Sequence, residues 1–166
     1  TSFETEEDFN AWTVFDTNED EATWKFDSYG DPSHVYYSYH GSNAANDWLI
    51  SPAITSTETG SIAVSFMTRG SSYGEKMEVF YGTTPTIDGM TNRITEEMNL
   101  NDTPQTLLYL INITANEPIY IGFRACSDAN MWRLYVGDIK VQFTNNPVDI
   151  CVTEITSPVS DFNLNE

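Results

Sequence analysis

Residues 46–54 read NDWLISPAI, and this stretch divides the chain into two parts of different character. An acid and Trp48 lead into the apolar pair Leu49 and Ile50. Ser51 and Pro52 then end the run, because proline has no N–H group to offer a strand ladder. The pattern predicts a short strand. The part before it is aromatic, acidic and rich in loop-forming residues, and the part after it carries clear β patterns.

Alternating apolar and polar residues dominate the chain from Ile62 onward. The alternating runs cover residues 62–67, 76–81, 107–111, 119–125 and 134–143, with Gly137-Asp138 shifting the register of the last one. Turn residues separate these runs, and no long helical pattern interrupts them. Such short, turn-bounded runs predict an all-β fold of two antiparallel sheets, a jelly roll or β-sandwich. Residues 91–99 fit either a helical turn or an irregular strand.

The length of 166 residues suits one domain and the start of another. We assign residues 1–144 to the jelly-roll domain, with residues 30–46 as a loop-like part of it. Residues 145–166 are predicted to be a linker leading into a following β domain. No apolar run approaches 18 residues, so membrane insertion is not expected. The start at Thr1 suggests a processed or trimmed chain whose export signal, if any, has been removed.

The charge balance is strongly acidic. Seven Lys and Arg residues face 25 Asp and Glu residues, giving a net charge of −18 and a pI near 4.1. Such a chain repels phosphate backbones and anionic membrane surfaces, so nucleic acid is excluded as an expected partner. The excess of acids either keeps the chain soluble or gathers carboxylates for a hard cation such as calcium.

Catalytic machinery is not evident in the sequence. His34 and His40 are the only histidines, and neither lies in a GxSxG context or at the spacing of a zinc motif. Cys126 and Cys151 either form a disulfide or remain a buried strand thiol and a tail thiol. No enzymatic activity is therefore predicted.

An acidic turn follows the first predicted strand. Asp16, Asn18 and Asp20 place oxygen donors at alternate positions, as the opening of a calcium loop does. The glycine and the closing glutamate of an EF-hand are absent, so the turn is either a different metal site or an acidic turn that needs no metal. Asp16 and Asp47 are candidate metal ligands, although Asp47 is also placed to cap the turn before Trp48.

Aromatic residues in or beside predicted loops supply candidate ligand-binding positions. These are Tyr36, Tyr37, Tyr39, Tyr73 and Trp132. Tyrosine and tryptophan offer flat apolar area with a polar group, which suits sugar rings and protein side chains alike. Closely spaced tyrosines also occur in ordinary strands that face a core, and Trp132 fits either a core or a rim position.

The order of these motifs resembles that of the cleaved-adhesin domains, which are jelly-roll modules of bacterial surface and secreted proteins. The matching segments are Phe3-Glu4, Trp12-Thr13, the acidic turn at 16–20, Trp24, NDWLISPAI, the strand 119–124 and the terminal segment 135–139. The tail at 148–155, followed by Ser157-Pro158, looks like the start of the Ig-like repeats that often follow such modules. The acidic turn here lacks the family's usual glycines, and the terminal acidic pair is reduced to Gly137-Asp138.

The resemblance implies a noncatalytic, calcium-stabilised binding or adhesion module at an extracellular or cell-surface location. Its ligand would be a glycan or an extracellular protein, and the isolated domain would be a monomer within a multidomain protein. A second hypothesis is a passive accessory or spacer domain of a larger secreted enzyme such as a peptidase.

The resemblance to related jelly rolls also points to Glu4 and Asp138 as calcium ligands, because the first and last strands are expected to be neighbours. An acid among the apolar residues of the last strand is costly unless it is neutralised. Asp138 is therefore expected to bind the metal, to be hydrogen-bonded in the interior, or to be exposed at a bulge around Gly137.

Overall fold

The structure, a computed structural model, describes residues 3–28 and 34–144. It opens with one short helix, α1 (Glu6–Asn10), which the sequence patterns do not predict. The Thr5 hydroxyl accepts the Asp8 N–H at 3.2 Å, and the Asp8 carboxylate accepts the Thr5 N–H at 2.8 Å. This reciprocal pair satisfies free N–H groups at the helix start and fixes where the helix begins.

The described residues form eleven strands in two antiparallel sheets. The first sheet has the order β1 (Thr13–Asp16), β4 (Asp47–Ile50), β10 (Tyr120–Ala125), β6 (Glu75–Gly82) and β7 (Asn92–Arg93), and β8 (Met98–Leu100) also pairs with β6. The second sheet has the order β2 (Trp24–Asp27), β3 (His34–Ser38), β11 (Arg133–Thr144), β5 (Gly60–Arg69) and β9 (Gln105–Ile113). The predicted fold class, a sandwich of two antiparallel sheets, is confirmed.

The stretch NDWLISPAI forms β4, whose four residues are all buried. Leu49 points into the core between the sheets, whereas Trp48 and Ile50 lie on the opposite face. After Ile50 the Ser51 N–H still bonds the Ile121 carbonyl at 2.9 Å, and Pro52 follows. The predicted strand and its end are both confirmed.

The main core lies between the two sheets and is strongly aromatic. Phe66 of β5 meets Phe123 of β10 edge to face at 5.1 Å, so this contact joins one sheet to the other. Trp24 and Leu134 from the second sheet are also fully buried. Burying each such side chain contributes about 1.5–3 kcal/mol, so a core of this kind can stabilise the domain without a disulfide.

A second apolar cluster covers the outer face of the first sheet. Trp48, Ile50 and Met90 are buried there. Met90 comes from residues 83–91, the connection that follows β6, and a Cβ added at Gly122 would lie 2.9 Å from its sulfur. This connection therefore closes most of that face to solvent.

Two sequence expectations are wrong about the strands. Residues 34–38, predicted to be loop-like, form β3, because Val35 and Tyr37 supply the alternate apolar positions that face the core. The first and last strands are not neighbours, since β1 pairs with β4 in the first sheet while β11 pairs with β3 and β5 in the second.

Other expectations agree with the structure. The predicted bulge is confirmed as a register shift between Gly137 and Lys140, with Asp138 in the left-handed region at φ 49°. Residues 91–99 contain β7 and the start of β8, two short strands that both pair with β6, so the segment is irregular strand rather than a helical turn. The predicted linker at 145–166 lies outside the described residues, as do positions 29–33. None of the helical segments described is long and apolar enough to cross a bilayer.

Gly82 offers a test of how closely the connection 83–91 packs. A Cβ at this position would lie 1.8 Å from the backbone oxygen of Gly89, so Gly82→Ala must displace the backbone. We expect a loss of about 1–3 kcal/mol or more in the free energy of unfolding, measured by urea titration. Gly41→Ala is the matched control, because nothing lies within 4 Å of its added Cβ. Equal stability of the two variants would contradict the packing described.

Candidate functional site

The connection from β1 to β2 carries the chain from one sheet to the other and is held together by its own acids. The Asp16 carboxylate accepts the N–H groups of Asp20 at 3.2 Å and Glu21 at 2.9 Å. Glu19 and Glu21 have φ of 55° and 68°, the left-handed conformation that glycine adopts most easily. The turn therefore keeps a glycine-like path without glycines, at a cost of about 1–2 kcal/mol per residue.

Asp47 lies directly opposite Asp16 in the strand register and has 0% of its surface exposed. Its Oδ2 accepts the Asn46 N–H at 3.1 Å, whereas its Oδ1 is buried with no hydrogen-bond partner among the described residues. Burial raises the pKa of Asp47 to about 7 and the charges of Asp16 and Asp20 add to the rise, whereas the Asn46 N–H and the neighbouring Thr23 hydroxyl oppose it. An ionised carboxylate here lacks a compensating charge.

Three more oxygen atoms around this turn are buried without a hydrogen-bond partner in the part of the chain described. They are Asn18 Oδ1, Thr23 Oγ1 and the Tyr37 hydroxyl. Burial raises the pKa of Tyr37, and the carboxylates of Asp47, Asp20 and Asp16 raise it further, which places these groups close together. Each unpartnered buried polar atom costs about 1–3 kcal/mol.

We use the name inter-sheet acidic site for the group formed by Asp16, Asn18, Asp20, Thr23 and Asp47. Calcium takes six to eight oxygen ligands from carboxylates, amides, carbonyls and water, and unpartnered buried oxygens beside carboxylates fit that donor set. No three His, Cys, Asp or Glu side chains within residues 3–28 and 34–144 are arranged to hold a metal by themselves. A cation here would therefore need the Asn18 amide and Thr23 hydroxyl oxygens as well.

The four predicted metal ligands fall into two groups. The structure brings Asp16 and Asp47 together across a strand pair. Glu4 is exposed ahead of α1, and Asp138 is half-buried at the bulge of β11. The strand pairing expected to join Glu4 to Asp138 is absent from the two sheets described, so their joint role in binding a metal stays a prediction.

Exposed aromatic side chains lie at the loops beside β3, β6 and β11. Trp132 is 46% exposed and packs against Tyr39 with ring centroids 5.1 Å apart, and Tyr73 is 66% exposed. We call these three residues the aromatic rim. The fully buried Glu75 joins their loops, because its carboxylate accepts the Ser71 hydroxyl at 2.6 Å and the Trp132 N–H at 2.7 Å. The loops of Tyr73 and Trp132 are therefore joined by one buried carboxyl group.

The two remaining aromatic candidates point to opposite faces of β3. Tyr36 is half-buried on the outer face, with the Arg133 guanidinium 4.3 Å from its ring centroid. Tyr37 is 1% exposed and packs edge-on against Trp24 at 6.2 Å. The prediction that Tyr37 contacts a ligand is wrong, because strand alternation turns its ring into the core.

The two histidines and Cys126 lie in structural positions. His40 Nδ1 accepts the N–H groups of Ser42 and Asn43 at 3.2 and 3.0 Å, which holds a turn. His34 Nε2 lies 3.3 Å from Asp27 Oδ2. Burial raises the pKa of the Cys126 thiol to about 12, so its reactive thiolate form is disfavoured. Cys151 lies outside the described residues, and its pairing with Cys126 stays a prediction.

Sequence reasoning missed four contributors to these sites as ligand positions, namely Asn18, Asp20, Thr23 and Glu75. The sequence shows Asn18 and Asp20 as oxygen donors at alternate positions with Asp16, but Thr23 falls outside that spacing. Glu75 gave no signal, because an acid at the start of a strand is ordinarily solvent-exposed.

Comparison with solved structures places the fold among adhesin and carbohydrate-binding modules. The K1 cleaved adhesin domain of Lys-gingipain from Porphyromonas gingivalis W83 superposes with a TM-score of 0.62 at 16% identity, covering 81% of this chain and 91% of that one. The K3 domain of the same protein gives 0.64 at 11% identity, covering 86% and 98%. A family 61 carbohydrate-binding module in complex with β-1,4-galactotriose gives 0.58 at 17% identity, covering 82% and 91%.

These likenesses show the fold and confirm the predicted resemblance to cleaved-adhesin domains at that level. No protein-family profile matches the sequence, and no curated protein matches it significantly.

The raised pKa of Asp47 predicts a pH-dependent stability in calcium-free buffer. Its pKa is about 7 in the folded chain against an ordinary 3.8, so the folded chain binds this proton more tightly than the unfolded chain does. The contribution of Asp47 to the free energy of unfolding should therefore fall between about pH 4 and pH 7 and stay level above it. Asp47→Asn should remove this fall and be more stable than the wild type at pH 8 by about 2–4 kcal/mol.

Urea titrations across this pH range, with chelator present, measure the effect. Asp102→Asn is the control, because Asp102 is an exposed loop carboxylate. Parallel pH profiles for the wild type and Asp47→Asn would show that burial does not perturb this carboxylate.

Proposed function

We propose that this domain is a noncatalytic, extracellular or cell-surface binding module that recognises a glycan or an extracellular protein through its aromatic rim. The observation that carries the proposal is exposed Trp132, which packs against half-buried Tyr39 and whose N–H group bonds the carboxyl group of buried Glu75. The fold likeness to cleaved adhesin domains and to a galactotriose-bound module supports the same conclusion.

The rim has the physical properties of a binding surface. Large apolar rings in water contribute strongly when a ligand covers them, and a tryptophan is a frequent centre of binding energy. Rings held in advance by a buried hydrogen-bond network lose little conformational freedom on binding. The Glu75 carboxylate supplies such a network to both loops, since it bonds Ser71 and Trp132.

We further propose that calcium binds at the inter-sheet acidic site and stabilises the domain. Asp16 and Asp47 would supply carboxylate oxygens, and Asn18 and Thr23 would supply the unpartnered oxygens found beside them. The cation would supply the positive charge that Asp47 lacks and would bond oxygens that otherwise remain unsatisfied. Because the site lies between the sheets, calcium would tie the β1–β2 connection to β4.

Trp132→Ala tests the rim. We expect the variant to lose roughly tenfold or more in affinity for whichever glycan or matrix protein the wild type binds on arrays of both, while its thermal unfolding midpoint stays close to the wild-type value. Phe143→Ala is the matched control, because Phe143 is an exposed aromatic of β11 that lies outside the rim. Absence of wild-type binding across both arrays would favour the spacer hypothesis.

Calcium should raise the thermal unfolding midpoint relative to the midpoint in chelator. At a calcium concentration about a hundredfold above the dissociation constant, we expect a rise of roughly 5–10 °C. Asp47→Asn should abolish this rise because it removes a ligand charge, whereas the exposed-site variant Asp102→Asn should keep it. A calcium-induced rise that survives in Asp47→Asn would place the metal elsewhere.

A further inference from the structure

The seven cationic side chains are divided unequally between the two sheets. The three on the first sheet are all paired with acids. Lys76 Nζ lies 2.8 Å from Asp128, Arg124 lies 2.9 Å from Glu78, and Arg93 bonds both Glu78 and Glu96. With 25 acids in the chain, pairing is the expected state of any cation.

The four on the second sheet behave differently. Lys25, Arg69, Arg133 and Lys140 form no ion pair or side-chain hydrogen bond with any residue in the described ranges 3–28 and 34–144. All four lie on the outer face of that sheet, because the residues that alternate with them, such as Trp24, Thr68 and Leu134, are buried inward. Four cations gathered on one face, without an acidic partner in the part of the chain that the structure describes, favour an anion as the ligand of this face.

The register places part of this set in one line across four strands. Lys25 is opposite Tyr36, Tyr36 is opposite Tyr135, and Tyr135 is opposite Arg69. Together with Arg133, these residues are called the cationic row. Three spacings of about 4.8 Å make the row about 14 Å long, which suits an extended oligomer rather than a small ion.

Both arginines of the row are stacked on tyrosine rings. The Arg69 guanidinium lies 3.8 Å from the Tyr135 centroid, and that of Arg133 lies 4.3 Å from the Tyr36 centroid. Stacking uses the face of the guanidinium and leaves its in-plane N–H groups free to bond. Those N–H groups match the two oxygens of a carboxylate in a bidentate arrangement. The rings therefore hold each guanidinium on this face, with its N–H groups available to a ligand carboxylate.

We propose that the cationic row binds a polysaccharide that carries carboxylate groups. This inference rests on the proposed function, since it assigns a ligand chemistry to a face that adjoins the aromatic rim through Trp132 and Arg133. Duplex DNA carries one charge per about 1.7 Å, which a chain of net charge −18 repels strongly. A polysaccharide with at most one carboxylate per sugar is less densely charged, so the chain repels it less strongly.

Two acidic residues lie beside the β2 end of the row, where their negative charge disfavours the binding of a carboxylate. Asp27 lies in the next register position beside His34, and Glu6 lines a groove of about 370 Å³ together with Lys25 and Tyr36. The carboxylate-binding part of the row is therefore assigned to Arg69 and Arg133, which lie on β5 and at the start of β11.

Titration calorimetry of the full chain in calcium-containing buffer at 0.15 M salt tests the proposal, since long-range repulsion is screened there beyond about 8 Å. The probes are hyaluronan oligosaccharides, oligogalacturonate, carboxyl-reduced hyaluronan and dextran sulfate. We expect the two carboxylated probes to bind and the carboxyl-reduced one not to bind. The double variant R69Q/R133Q should weaken binding by roughly tenfold or more, and R69K/R133K should restore part of it.

The matched control is K76Q/R93Q, which removes the same charge from the first sheet and should bind as the wild type does. Failure of both carboxylated probes to bind, equal weakening by the two double glutamine variants, or preferential binding of dextran sulfate would each overturn the proposal. If Trp132→Ala still abolishes binding of another ligand in those cases, the rim function stands and only the cationic row is withdrawn.

Discussion

The burial of the Asp47 carboxylate between the two sheets is the constraint on which much of this domain depends. Asp47 begins β4, the strand formed within NDWLISPAI. Its backbone carbonyl accepts the Trp24 indole N–H at 3.2 Å, and its side chain faces Asp16 across the β1–β4 pair. A carboxyl group in this position is tolerated only when it is protonated, and therefore neutral, or when a positive charge compensates its negative charge. The connection from β1 to β2 lies beside it, so the same group links the proposed calcium site, the expected pH response and the joining of the sheets.

The two outer faces of the sandwich differ in how far they are covered and in how their cations are paired. On the first sheet, residues 83–91 and the cluster of Trp48, Ile50 and Met90 close the face, and the cations there are paired. On the second sheet, half-buried Tyr36 and two arginines without an ion pair among the described residues lie beside the aromatic rim. The side chains proposed to bind ligands are therefore concentrated on one side and one edge of the domain.

The fold was largely predictable from the sequence, because alternation of apolar residues reports directly on which side chains face a core. The same rule, applied strictly, would have separated outward Tyr36 from inward Tyr37 once β3 was recognised. The pairing of strands was not predictable in this way, because the local sequence pattern of β1 or of β11 would be the same whichever sheet the strand joined. Asp16 and Asp47 were identified from residue type, but the unpartnered oxygens of Asn18 and Thr23 and the buried role of Glu75 depend on contacts between distant segments.

The unequal anchoring of the first and last strands has a mechanical consequence. β1 has four residues and pairs only with β4 in the described sheet, whereas β11 has twelve residues and lies between β3 and β5. A force pulling along the chain would therefore peel β1 away one hydrogen bond at a time, while β11 would have to shear against two partners at once. Because Asp16 ends β1, separating β1 from β4 would also open the acidic site. A cation bound there would therefore increase the resistance of the domain to stretching.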